Sequence, residues 1–199
     1  MNFETRKQQH TQFEQKIYRE LEYYGFTIHD LTYHTHLPTH TQEKLRTLQN
    51  PTALLIRTRA DRILIHQTKP IITKIEVKTS SYHDGSFAIE AFPLATHAIE
   101  TTTMNIPCLY ICYHTHNQHE YGFWIQHIIP HIQHIFIPPR WHTFTQENQQ
   151  WLLNAFPHAK LHYQHYHTRG SNTPYTRIPE PITKTLPHWK QLIQQLLQQ

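Results

Sequence analysis

Apolar and polar positions repeat with two different periods along this chain, and the change of period marks the elements. From residue 3 to 24, Phe13, Ile17, Leu21 and Tyr24 follow the i, i+4, i+7/8 spacing of an amphipathic helix. Gly25 is placed to end it. On that wheel Glu20 lies beside Ile17 and Tyr24, whereas Glu14 and Glu22 point away. A carboxylate turned toward a core needs a partner. Glu20 therefore either pairs with a cation at the edge of the stripe or reaches into a metal site. Residues 27 to 50 are polar, with a short helical stretch over Gln42 to Leu48.

Strand signals follow. They cover Ala53 to Thr58 (ALLIRT), Arg62 to His66 (RILIH), Ile71 to Thr79 (IITKIEVKT) and Phe87 to Phe92 (FAIEAF). The first two are too close for a crossover helix, so the spacing predicts antiparallel pairing. Asp84-Gly85 marks a turn before the fourth. Pro93 can open a helix over Leu94 to Thr103. Ile106 to Tyr113 is the continuous apolar run of a strand buried on both faces, with Tyr121 to Ile129 as its hairpin partner. After about Ile137 prolines break up the pattern. Helices are predicted near Gln146 to Ala155 and over Trp189 to Leu197, the second with an apolar stripe that docks on the core or on a partner. The order predicts an α/β fold with a mixed central sheet flanked by helices and an irregular C-terminal extension ending in a helix. We divide it into a core over 1–135 and an extension over 136–199 that packs on the core.

Composition narrows the chemistry. The 199 residues carry a formal charge of +4, which suits a polyanionic partner. No apolar run reaches the ~20 residues of a membrane span, and MNFETRKQQH has no apolar segment of signal-peptide type, so no membrane association and a cytoplasmic location are expected. Cys108 and Cys112 read as buried thiols. The 20 histidines invite a metal-storage reading, but glutamine, threonine and proline are abundant too, while valine occurs once, at Val77, and aspartate only at Asp30, Asp61 and Asp84. Codons of the abundant residues begin CA, AC or CC and those of the scarce ones begin with G. A skewed coding strand explains the pattern, and the zinc-like spacing of Cys112, His114, His116 and His119, like the run over 162–167, is discounted with it.

Against that skew stands TRADRILIHQTKPIITKIEVKTSS. Alternation puts Lys74, Glu76 and Lys78 on one face of a strand and Ile75 and Val77 on the other. Asp61 opens the preceding strand. If the two strands pair as a hairpin, Asp61 and Glu76 converge on one ion. Mg²⁺ prefers oxygen ligands and keeps several waters, so Asp61, Glu76 and the Val77 carbonyl suit it, and Mn²⁺ can substitute. Lys78 beside them can orient or deprotonate a water, or stabilise charge on a phosphoryl group.

This layout resembles the PD-(D/E)xK nuclease superfamily, which includes restriction endonucleases and archaeal Holliday junction resolvases. Asp61 matches the family's first acid, and Glu76, Val77 and Lys78 its acid-x-lysine. Glu20 looks like the extra first-helix glutamate of many members. Ala60 stands where proline is frequent. The resemblance covers about residues 3 to 130. It implies a restriction endonuclease-like core of helix, three-stranded antiparallel meander, helix and further strand. It also implies a metal-dependent phosphodiesterase, an endonuclease before an exonuclease, acting on DNA. Asp61, Glu76 and Lys78 would be catalytic, with Glu20, Asp61, Glu76 and Val77 around the metal. Glu90 is either an auxiliary acid or an ordinary strand-end glutamate, and His97 either faces the site or belongs to the histidine excess. Arg57, Arg59, Arg62, Lys74, Thr79 and Ser80 are candidate contacts to the nucleic-acid backbone. The family often dimerises, and the C-terminal stripe is the surface on offer. The alternative is a catalytically silent relative that only binds nucleic acid or a protein.

Overall fold

The helical stripe at the N-terminus forms α1 over Phe3–Tyr23 in a computed structural model that describes residues 3–32, 36–48, 50–80, 85–166 and 173–199. Gly25 follows at φ +88°, and a Cβ there would approach the His66 ring to 3.0 Å, so the turn into the sheet requires glycine. The chain continues through β1 (Phe26–Asp30), α2 (Thr39–Thr47), α3 (Pro51–Arg57), β2 (Arg62–His66), β3 (Ile72–Ser80) and β4 (Phe87–Glu90). Then come α4 (Ala91–Met104), β5 (Cys108–His114), β6 (His119–Trp124), α5 (Ile125–Ile128), β7 (His134–Ile137) and α6 (Gln146–Ala155). β8 (Lys160–Tyr163), β9 (Tyr175–Ile178), α7 (Glu180–Thr183) and α8 (Trp189–Leu197) complete it.

The architecture is α/β, with a mixed five-stranded sheet in the order β1-β2-β3-β5-β6 flanked by helices. β1, β2 and β3 form an antiparallel meander, α4 crosses over to place β5 parallel to β3, and β6 returns antiparallel to β5. This is the helix, meander, helix and strand order that the resemblance implied. A second sheet runs β4-β9-β7-β8. β7 straddles residue 135, and β9 pairs with β4, so residues before and after that point share one core.

Two elements differ from expectation. Ala53–Thr58 is not a strand. Asn50 caps a helix there, its side chain accepting from the Ala53 N–H at 2.8 Å, and Pro51 sits in the first turn. A short apolar run has no period of its own, and the cap decides it. The first strand of the meander is instead Phe26–Asp30, where Phe26 is buried and Thr27 is bonded at the surface to the Ile65 carbonyl. Elsewhere the shifts are small. β4 stops at Glu90 because α4 begins two residues before Pro93, and β6 ends at Trp124 in a helical turn. Of the turn expected at Asp84-Gly85, Asp84 lies outside the described residues. Among the described residues, no helix is long and apolar enough to cross a membrane.

The large sheet separates two apolar cores. On one face Phe13, Ile17 and Leu21 of α1 meet Ile75, Val77 and Ile111, and α8 adds Trp189, Leu192 and Ile193. The other face packs α4, α6 and the second sheet over Tyr110, Phe123 and Cys112. Both cysteines are free and buried. The C-terminal stripe is thus spent inside the chain. Trp189 and Ile193 are fully buried, and the Trp189 Nε1–H donates to Glu120 at 3.0 Å. This corrects the stripe as a dimer surface. The fit is tight at Gly122 of β6, where an added Cβ would lie 2.9 Å from the Trp189 Cβ and 3.0 Å from its Cα. Gly122→Ala must therefore push α8 off the sheet, at a cost of about 1–3 kcal/mol. Urea unfolding measures it, and an unchanged midpoint would contradict this packing.

Candidate active site

The β2–β3 ladder ends at the pair Arg62↔Ile75. One step further along the same register, Asp61 stands at the end of β2 beside Glu76, which β3 carries on past the ladder. The Asp61 N–H donates to Glu76 Oε2 at 3.2 Å. Lys78, two residues on and on the same face, places its Nζ 2.6 Å from Glu76 Oε1. Hairpin register and strand alternation thus bring Asp61, Glu76 and Lys78 together. The Lys74 N–H donates to Pro107 and the Ser80 carbonyl accepts from Thr115, so even-numbered residues of β3 direct their backbone groups toward β5. Backbone groups alternate along a strand, so the Val77 carbonyl faces the other edge, where Asp61 is.

Electrostatics at this corner favour a cation. Glu76 is buried, and Lys78 and Asp61 are partly buried. Burial, followed by the negative charge of Glu76, pushes the Asp61 carboxyl up to about 6, against the opposing pull of Lys78 and Arg62. Burial pulls the Lys78 ammonium toward losing its proton, but Glu76, Glu90 and Asp61 outweigh it and hold the group charged, above its ordinary range. Two carboxylates, Asp61 and Glu76, thus meet one ammonium, Lys78. Among the described residues, no three His, Cys, Asp or Glu side chains converge as a metal cage. The donors available to a divalent ion here are two carboxylates and one carbonyl, which fits Mg²⁺, an ion that keeps part of its water shell.

The first-helix acid is a correction. Glu20 does turn inward, but its Oε2 meets Lys190 of α8 at 2.5 Å. α1 lies on the Ile75–Val77 face of the sheet, opposite Glu76, and only its earlier turns reach round the edge to Asp61. The acid there is Glu14, whose charge acts on Asp61 and whose Oε1 accepts from the Tyr18 hydroxyl at 2.5 Å. Arg62 lies over the Tyr18 ring and pairs with Asp30 at 2.9 Å. The Glu14–Tyr18 spacing of four residues was the available signal, since it places the two side chains on one helix face.

Lys74 is a second correction. It is 2% exposed, and its ammonium is bound to Glu100 of α4 at 2.7 Å, inside the chain and not on a surface that faces solvent. Arg59 shares that carboxylate at 3.5 Å. Thr79 falls on the Val77 face, away from the acids, whereas Ser80 shares their face and is buried, its carbonyl tied to Thr115. Arg57 lines a cleft of about 170 Å³ with Glu90, Arg140 and Trp141. Glu90 leads into α4, accepts from the Thr173 hydroxyl at 2.9 Å, and is near enough to Lys78 to raise its affinity for protons. His97 is buried on α4 with Nδ1 2.7 Å from the Tyr110 hydroxyl, and burial depresses it to about 4. It is neutral at physiological pH. Glu14, Glu100 and the Arg140–Trp141 pair were not singled out in the sequence.

No family model matches the chain, and no curated protein matches it. Among solved structures, it is similar to Hjc, a Holliday junction resolvase from the archaeal hyperthermophile Archaeoglobus fulgidus. The TM-score is 0.46 at 10% identity, over 93% of this chain and 98% of that one.

Proposed function

We propose that this protein is a metal-dependent nuclease that hydrolyses phosphodiester bonds in DNA. The observation that carries the reading is the meeting of Asp61 and Glu76 at the open end of the β2–β3 ladder, with the Lys78 ammonium on the second acid. Asp61, Glu76 and the Val77 carbonyl would hold Mg²⁺ or Mn²⁺. When bound, such an ion supplies Lewis-acid polarisation of a phosphoryl oxygen and an acidified water. The chain's own contribution is electrostatic. Lys78 is kept charged by Glu76, Glu90 and Asp61, so it acts as a fixed positive charge for the pentavalent phosphoryl group and not as the base. Glu76 holds that ammonium in place, and Arg62 is fixed by Asp30 at the mouth.

Cleavage of plasmid DNA in Mg²⁺ or Mn²⁺, abolished by EDTA, is the expected activity. Lys78→Met should lower the rate about 10²–10³-fold, the usual cost of removing one fixed charge from a transition state. The thermal shift on adding Mn²⁺ should survive, because both carboxylates remain. A triple Asp61→Ala, Glu76→Ala, Lys78→Ala variant that cleaves as fast as the parent would overturn the reading.

A further inference from the structure

The second sheet presents a solvent face for which the catalytic corner has no use. Alternation along β7 and β9 sends Ile135, Ile137, Thr176 and Ile178 into the core. It leaves His134, Phe136, Tyr175 and Arg177 outside, joined by Lys160 and His162 of β8. None of these outward side chains is acidic. The registers set Phe136 between His162 and Tyr175, and Tyr175 beside Glu90. The rings follow that order. Phe136 stacks on Tyr175 with centroids 5.1 Å apart at 24°, and lies 5.6 Å from His162 at 32°. His134 meets His162 edge-on at 4.8 Å. The Tyr175 hydroxyl accepts from Gln164 Nε2 at 3.0 Å, which fixes its ring, and the Arg177 guanidinium lies 6.0 Å from that ring's centroid. His134 and His162 are exposed, and Phe136 and Tyr175 are half-buried.

We propose that this face is a stacking platform for a single strand of DNA, the strand passing from the catalytic acids over Glu90 with its bases unpaired on Tyr175, Phe136 and His162. Three observations support it. A row of partly exposed rings on an open sheet face offers aromatic surface on which a base can stack, and a duplex hides the faces of its bases. Arg177 and Lys160 beside the rings, and Arg140 stacked on Trp141 at the cleft by Glu90, provide cations for phosphates with no carboxylate among the outward residues of β7, β8 and β9. The row also begins at Glu90, which leads into α4; that helix runs back over β3 to set Glu100 on Lys74, so its start, and the row with it, lies toward the Lys78 end of the strand. The position of the platform relative to the cut rests on the nuclease reading, but binding to the platform does not.

The test is fluorescence anisotropy of labelled oligo-dT and of a duplex of equal length, in EDTA so that nothing is cut. The intact chain should prefer oligo-dT. Phe136→Leu/Tyr175→Leu keeps apolar volume on the strands but removes two rings. It should weaken oligo-dT binding tenfold or more and leave duplex binding unchanged, since a stacked base is worth about a factor of ten in affinity. Tyr175→Phe, which keeps the ring and loses only the hydrogen bond from Gln164, should retain most of the parent's affinity. Should the double variant fail to fold by circular dichroism, His162→Ser at an exposed position serves instead and should lose several-fold. Undiminished oligo-dT affinity in a folded ring variant overturns the platform, as does a parental preference for duplex. Tighter binding of oligo-U than oligo-dT overturns the choice of DNA. Ring-dependent binding without cleavage in Mg²⁺ defeats the nuclease reading alone, and cleavage without ring-dependent binding defeats the platform alone.

Discussion

Asp61→Asn should abolish DNA cleavage, by about 1000-fold or more, and at the same time give a more stable protein. Both effects have one origin. Folding buries the Asp61 carboxyl next to Glu76 and raises it to about 6. A carboxyl raised in this way binds its proton more tightly in the folded chain than in the unfolded one. The stability it supplies is complete below its ordinary value of about 4 and is lost as the pH rises through about 6. Asparagine has no proton to lose. The variant should therefore be more stable by about 2–3 kcal/mol at pH 8, and the gain should vanish near pH 4. Urea titrations at the two pH values measure this. Mn²⁺ should raise the unfolding midpoint of the parent and not that of the variant, because only the parent keeps both carboxylates. A variant less stable than the parent at pH 8, or one that still cleaves, would contradict the charge crowding at this corner.

The largest loss of stability is expected from Glu100→Ala. Lys74 and Glu100 are 3% and 7% exposed and 2.7 Å apart. Removing the carboxylate leaves a buried ammonium without its ion-pair partner and next to another cation, Arg59. Breaking a buried pair in this way costs about 3–5 kcal/mol. The double variant Lys74→Met/Glu100→Leu removes both charges and should recover most of the loss. A single-variant loss under about 1 kcal/mol, the worth of an exposed pair, would show that the pair is not isolated from water. Since Lys74 shares its strand face with Glu76 and Lys78, the pair also fixes where α4 lies over β3.

The site was legible where it depended on local geometry. A two-residue period and one hairpin suffice to bring Asp61, Glu76 and Lys78 together, and both are written in the run from Asp61 to Lys78. The same period could not show that α4 covers the acid face, so Lys74 looked like a surface cation. The wheel turned Glu20 inward, but a wheel does not tell which end of a helix lies by the site, and Glu14, six residues earlier, is the first-helix acid whose charge acts on Asp61. ALLIRT read as a strand and FTIHD as part of a polar stretch for a similar reason. The first is apolar without a period, and in the second threonine and histidine mask the alternation of Phe26 and Ile28. The second sheet was hidden altogether, because β4 pairs with β9 across a long stretch of intervening chain.

The packing of α8 against α1 and β3 also sets the order in which the molecule can fold. Phe13, Ile17 and Leu21 come from one end of the described chain and Trp189, Ile193 and Leu196 from the other, yet they share one core. Contacts between such distant segments bring their stabilisation only after the intervening chain has been ordered, which slows folding. Docking of the last helix is therefore expected to come late, and until it does α1 alone backs the strand that carries Glu76 and Lys78.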